Sequence, residues 1–117
     1  MTTVNQTHFA KLDDNNNVID IILITQDLVD TGQWGDPSKF VKSFEIIDGV
    51  EYIPFKNKAG IGYTFDVINQ GFVPQKIFPS SIFNPETCQW EPPIPKPIEF
   101  PDSYDWDEQS QSWVQFI

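Results

Sequence analysis

Four times along this chain a large apolar residue is followed at once by Asp or Asn, and a second large apolar residue arrives seven places after the first. The pairs are Leu12 and Ile19, Phe65 and Phe72, Phe83 and Trp90, and Trp106 and Trp113. In an antiparallel pair, directly opposed residues have numbers of constant sum. Phe65 opposite Phe72 therefore sets Thr64 against Val73 and leaves residues 67–70 as the loop. Opposed side chains share a face, and an aromatic pair there contributes roughly 0.2–1 kcal/mol beyond plain alanines. The residue after each first anchor (Asp13, Asp66, Asn84, Asp107) carries a short oxygen. Such an oxygen can accept a backbone N–H two residues on and start the turn. The pattern predicts a mainly β fold, a small single domain of successive antiparallel hairpins.

The remaining segments fill in that frame. Residues 8–12 read as a strand, and Asp13-Asp14-Asn15-Asn16-Asn17 as a turn of residues that tolerate left-handed backbone. Residues 18–24 are β-branched and predict a second strand, buried on both faces near its middle. Residues 25–31 predict a short helix with Leu28 and Val29 facing inward and Gly32 as its stop. For residues 37–44 two readings compete. Asp36-Pro37 resembles an N-cap and first helical position, which would put Phe40, Val41 and Phe44 on a helix face. A strand over residues 40–47 is preferred, because Asp48-Gly49 signals a type I′ hairpin immediately after it. Gly60 and Gly62, ahead of Tyr63, mark a bulge or a close ring.

Five prolines between Glu91 and Pro101 force an extended strap. This divides the chain into a β-rich body over residues 1–91, a proline-rich strap over residues 92–101 and a C-terminal hairpin over residues 102–117. The last hairpin either folds back onto the body or projects to a neighbour.

Composition narrows the function. Seventeen acidic residues against seven basic ones, all of them lysine, give a formal charge of −10. No basic stripe is available for nucleic acid, and anionic membrane surfaces are disfavoured for the same reason. Cys88 is the single cysteine, which fits synthesis in a reducing compartment. The first six residues show neither a basic nor an apolar signal-peptide region.

The candidate chemistry is thin. His8 is the one imidazole, with no Cys or His near it in sequence, and reads as structural. Cys88 lies in a predicted turn without a His at hand. Asp102, Asp105, Asp107 and Glu108 cluster around Tyr104 and Trp106 but lack the glycine that bends a calcium loop, so a solvated, turn-capping face is expected. No nucleophile elbow, phosphate-cradling glycine loop or zinc-type spacing is present, and neither an enzyme nor a cofactor is expected. Trp34, Trp90, Trp106 and Trp113 could stack on sugars, though aromatics at hairpin anchors are more often core or interface.

Three stretches carry a resemblance: HFAKLDDNNNVIDIILI, AGIGYTFDVINQGFVPQK, and NPETCQWEPPIPKP followed by YDWDEQSQSWV. They resemble small virion-associated proteins of tailed bacteriophages, particularly those of marine cyanobacteria. The AGIGYTFD and ETCQWEPP blocks are the most specific, and residues 50–58 match least. The resemblance implies an accessory structural component of a virion, head-decorating or belonging to tail, fibre or baseplate, made in the host cytoplasm. It implies other virion proteins as partners, with self-association, and carries over no catalytic residue. A glycan-binding module at a tail tip and a fibre-assembly chaperone are the alternatives. Open sheet edges and marginal hairpins both call for a neighbour. The expected interface comprises Trp90, Trp106, Trp113, Phe72, Phe83 and Tyr104, which also supply the intramolecular core.

Overall fold

The computed structural model describes residues 6–116. The reading of the first six residues as lacking a signal peptide lies, except for Gln6, outside the described residues. Strand β1 (Gln6–Leu12) turns through Asp13–Asn17 into β2 (Val18–Leu23), and α1 (Gln26–Asp30) follows. A single 3-10 turn (Pro37–Lys39) leads into β3 (Phe40–Ile47) and β4 (Val50–Tyr52). These four strands form one antiparallel sheet in the order β2-β1-β3-β4. Three two-stranded hairpins come next: β5 (Thr64–Asp66) with β6 (Gly71–Val73), β7 (Ile82–Asn84) with β8 (Gln89–Glu91), and β9 (Tyr104–Asp107) with β10 (Ser112–Gln115). The chain is mainly β, as its residue pattern predicts.

Three of the four predicted anchor pairs are direct cross-strand partners: Phe65 with Phe72, Phe83 with Trp90, and Trp106 with Trp113. The first is different. From His8–Leu23 to Lys11–Asp20 the register follows the predicted sum, but a bulge then sets Leu12 opposite Val18. Ile19 is the extra residue, and it is 52% exposed while Val18 is buried. A bulge places two residues against one and turns the extra side chain out of the pair. The Asx device works in every copy. Asp13, Asp66 and Asn84 accept the backbone N–H two residues on, at 2.9, 3.0 and 2.9 Å. Asp107 accepts that of Ser110 at 3.3 Å. A second shared feature closes each turn. Asn16, Gln70, Cys88 and Gln111 all have left-handed backbone, each two residues before the second strand's partner residue.

The preferred strand over residues 40–47 forms as β3, and of the competing helix only its Asp36-Pro37 start survives. Asp36 caps the 3-10 turn by accepting the N–H of Ser38, but the turn stops at Lys39 and the strand takes over. Asp48 and Gly49 both have positive φ, as a type I′ turn requires. Thr25 caps α1, and Val29 is buried beneath it; Leu28, expected to face inward, is 44% exposed. Strand β2 is buried on both faces only in part: Ile21 and Ile22 at its middle pack, half-buried, against the two core clusters. It is the sheet edge, with Ile19, Asp20 and Leu23 exposed.

The sheet buries both faces through β1, whose side chains alternate. Phe9 points to one side and packs with Ile24, Val29 and Phe40 beneath α1. Ala10 and Leu12 point to the other, where Val18, Phe65 and Phe72 complete a second cluster. The β5–β6 hairpin is thus the lid of that second face. Phe72 is fully buried, and its ring lies 5.0 Å from Phe65 and 6.4 Å from Phe55. Burying such a side chain contributes about 1.5–3 kcal/mol. Backbone bonds fasten the lid: Val18 N–H to Tyr63 O, Gly62 N–H to Val18 O, and Phe65 N–H to Asn16 O. Gly60 is where the Tyr63 ring approaches, within 2.7 Å of where a Cβ would sit.

The remaining hairpins lie outside this body. The radius of gyration is 17.9 Å, where a compact chain of this length has about 13 Å. The join between the second and third hairpins is tight, because a Cβ on Gly71 would fall 2.5 Å from Cys88 Sγ. Gly71→Ala is expected to cost about 1–3 kcal/mol of stability through overpacking, read as a lower urea midpoint, and Cys88→Ala in the same chain to restore part of it. Gln111→Gly should raise the thermal midpoint, since a left-handed L-residue costs about 1–2 kcal/mol that glycine largely avoids.

Candidate functional site

The sequence-predicted aromatic residues divide into two groups by burial. Phe72 is fully covered by the sheet and cannot meet a partner; it belongs to the core alone. Phe83, Trp90, Tyr104, Trp106 and Trp113 are all half-buried. The Phe83 and Trp90 rings are 5.3 Å apart and tilted, and those of Trp106 and Trp113 are 5.5 Å apart and edge-to-face. These are the offset geometries that aromatic quadrupoles favour.

The strap does not project the last hairpin away. It brings β9–β10 back against the segment between the second and third hairpins. Trp90, Trp106 and Trp113 then line one groove of about 320 Å³ with Pro74, Phe78 and Pro92. Trp34 is not part of it, so no four-tryptophan platform forms; it stands 51% exposed in the loop after α1. Tyr104 shares a strand face with Trp106 by alternation but lies outside the groove.

Each indole N–H in the groove is already engaged. Trp90 donates to Pro74 O at 2.8 Å, Trp106 to Glu108 Oε2 at 2.9 Å, and Trp113 to Ile94 O at 2.8 Å. Lys76 sits 5.3 Å from the Trp90 ring centre and Lys96 5.4 Å from that of Trp113. Cations so placed are attracted to the ring faces. What the groove offers a ligand is ring face and proline edge.

Two polar clamps hold the aromatic pieces in place. Asn57 Nδ2 donates to Phe72 O at 3.0 Å and to Thr87 O at 2.9 Å, and its Oδ1 accepts from Gln89 Nε2. Lys56 Nζ adds a bond to Pro85 O at 2.7 Å. This cluster joins the second hairpin to the third. Glu108 joins the body to the last hairpin: it accepts from Ser80 N–H at 2.9 Å and from Ser80 Oγ at 2.5 Å, besides Trp106. Sequence reasoning placed Glu108 in an acidic face and did not single out Asn57. Nothing local marks their clamping role, because the partners they clamp, Phe72, Thr87 and Gln89 for Asn57 and Ser80 for Glu108, lie 15 to 32 residues away.

The other candidates fall into structural places. His8 stacks on Phe44 with ring centres 4.1 Å apart, and Lys58 covers the same Phe44 ring. Cys88 is buried at the Gly71 contact, and burial pushes its thiol pKa up, away from the reactive thiolate. Asp107 is held below its ordinary value first by the Ser110 hydroxyl, and Asp13 and Asp66 by backbone N–H groups of their own turns. Among the described residues no group of three His, Cys, Asp or Glu side chains is arranged to hold a metal ion. No family model, curated protein or solved structure matches the chain.

Glu108 gives the site a pH dependence. Its carboxyl lies below the ordinary 4.5, chiefly through the Ser80 hydroxyl, then the Trp106 indole, with Lys76 nearby adding to the effect. A lowered folded-state value means that ionised Glu108 stabilises the docked hairpin above pH 4.5, and that this is lost as pH falls through the folded value. Acidification should shift tryptophan emission to the red in the wild type. Glu108→Gln keeps an acceptor oxygen but does not titrate, so that part of the shift should vanish. An identical acid shift in both chains would contradict the clamp.

Proposed function

We propose that this chain is a non-enzymatic structural component of a tailed-phage virion, an accessory protein of the head or of the tail, fibre or baseplate. It acts by packing aromatic hairpins against neighbouring capsid or tail subunits. The resemblance of its hairpin blocks to virion-associated proteins supports the setting. The mechanism is carried by one observation: Trp90, Trp106 and Trp113 share an apolar groove while each stays half-exposed with its N–H committed inside the chain. Such rings gain by apolar contact with a shaped partner, and aromatic-rich centres characterise stable interfaces.

The surface around the groove fits that reading. Ile77, 80% exposed, extends the apolar lining of the groove itself. Exposed apolar surface continuous with an aromatic groove marks a contact site. The negative net charge keeps the protein off nucleic acid while it joins a particle. A fibre-assembly chaperone would share these features but would be absent from finished particles.

Trp106→Ala and Trp113→Ala should each abolish incorporation, read by mass spectrometry of purified particles. The body around Phe65 and Phe72 should remain folded in the same mutants, read by hydrogen exchange. Normal occupancy of either mutant would refute the interface.

A further inference from the structure

We infer that the C-terminal hairpin is exchangeable: β9–β10 of one copy docks against the Trp90 side of a second copy of this chain and completes its groove there, with residues 98–101 as the hinge. The inference uses the groove geometry and does not rest on the virion reading.

The first ground is that the hairpin is a self-contained unit. β9 and β10 form their own two-stranded sheet and share no strand ladder with the body. What holds them down is Ser80 N–H and Oγ bonded to Glu108 and the Trp113 indole bonded to Ile94 O, with Trp106 and Trp113 forming one wall of the groove whose other wall carries Trp90. Those contacts can be made identically by a groove on another molecule, as in any exchange of an element between protomers. An isolated two-stranded hairpin is marginal in water, so β9–β10 needs a groove whichever chain supplies it.

The second ground is the hinge. Phe100 has φ 51° and ψ 54°, a left-handed conformation that its Cβ disfavours. It also precedes Pro101, which pushes the residue before it toward extended backbone. The closed chain therefore bends at a doubly unfavourable residue. Straightening the hinge removes both penalties, and the prolines ahead of it already favour extension.

The third ground is exposure. Ile98 is 94% and Phe100 73% exposed in the closed form. In an exchanged pair the two hinges run past one another, so these side chains gain mutual cover that a single chain does not provide.

Deleting residues 98–100 shortens the strap by roughly 9 Å at polyproline-II rise, too much for the hairpin to reach its own groove. The deletion chain should sediment at twice the monomer mass and keep the wild-type near-ultraviolet tryptophan spectrum. Trp106→Ala added to it should return it to a monomer. Wild type should form a concentration-dependent dimer, and Phe100→Gly, which accepts the bent hinge, should lower the dimer fraction several-fold. A deletion chain that stays monomeric overturns the exchange, whether its tryptophan signal is native or lost. So does a wild type that remains monomeric at every concentration reached, whatever the deletion chain does. Particle incorporation is not a readout here, so failure of the exchange leaves the virion proposal standing.

Discussion

Two bulky side chains seven residues apart can meet only if the chain between them reverses, and that reversal is the constraint on which this molecule is built. An Asx side chain starts the turn by taking a backbone N–H, and a left-handed residue ends it. The strands that emerge bring their anchors into direct opposition. Backbone hydrogen bonds alone would leave such short ladders marginal. The ring pair across each one supplies the extra contact.

The same device ends in different places. The second hairpin finds a sheet face waiting for it, where Ala10, Leu12 and Val18 leave room for rings, and Phe65 and Phe72 become core. The third and fourth find no such face. They lean on each other, on Pro74 and Phe78, and on the prolines of the strap, so their tryptophans stay half in water. Burial therefore declines along the chain while the turn chemistry does not. An aromatic hairpin that is only half covered by its own chain is a binding surface by construction, whether the cover comes from a capsid subunit or from another copy.

Polar groups decide where each piece sits. Asn57 reaches three backbone carbonyls of two hairpins with one amide nitrogen, and its oxygen takes a side chain from the third. Glu108 does similar service for the fourth hairpin, and its depressed pKa records the donors around it. Removing one partner from such a cluster leaves the others unsatisfied, which is why a single polar residue can position a much larger apolar unit. The aromatic contacts supply most of the attraction, and these clamps supply the register between units.

The residue pattern was legible wherever the physics is local. Hairpin existence, the Asx starts, the Asp48-Gly49 turn and the Thr25 cap all follow from interactions within a few residues, so they could be read off directly. The Leu12–Ile19 pairing failed because a bulge answers to the neighbouring backbone: Val18 bonds to Tyr63 and Gly62, some 45 residues on, and that contact pulls Val18 inward. Apolar side chains suggest burial for Leu28 and the middle of β2, yet Leu28 is exposed and β2 lies at a sheet edge, where Ile21 and Ile22 are covered only in part by the two clusters. Which anchors became core, where the strap turned back and which distant amide clamps the hairpins depended on partners far away in the chain. Alternation and turn propensity carry no information about such partners, since they emerge only when the faces are packed together.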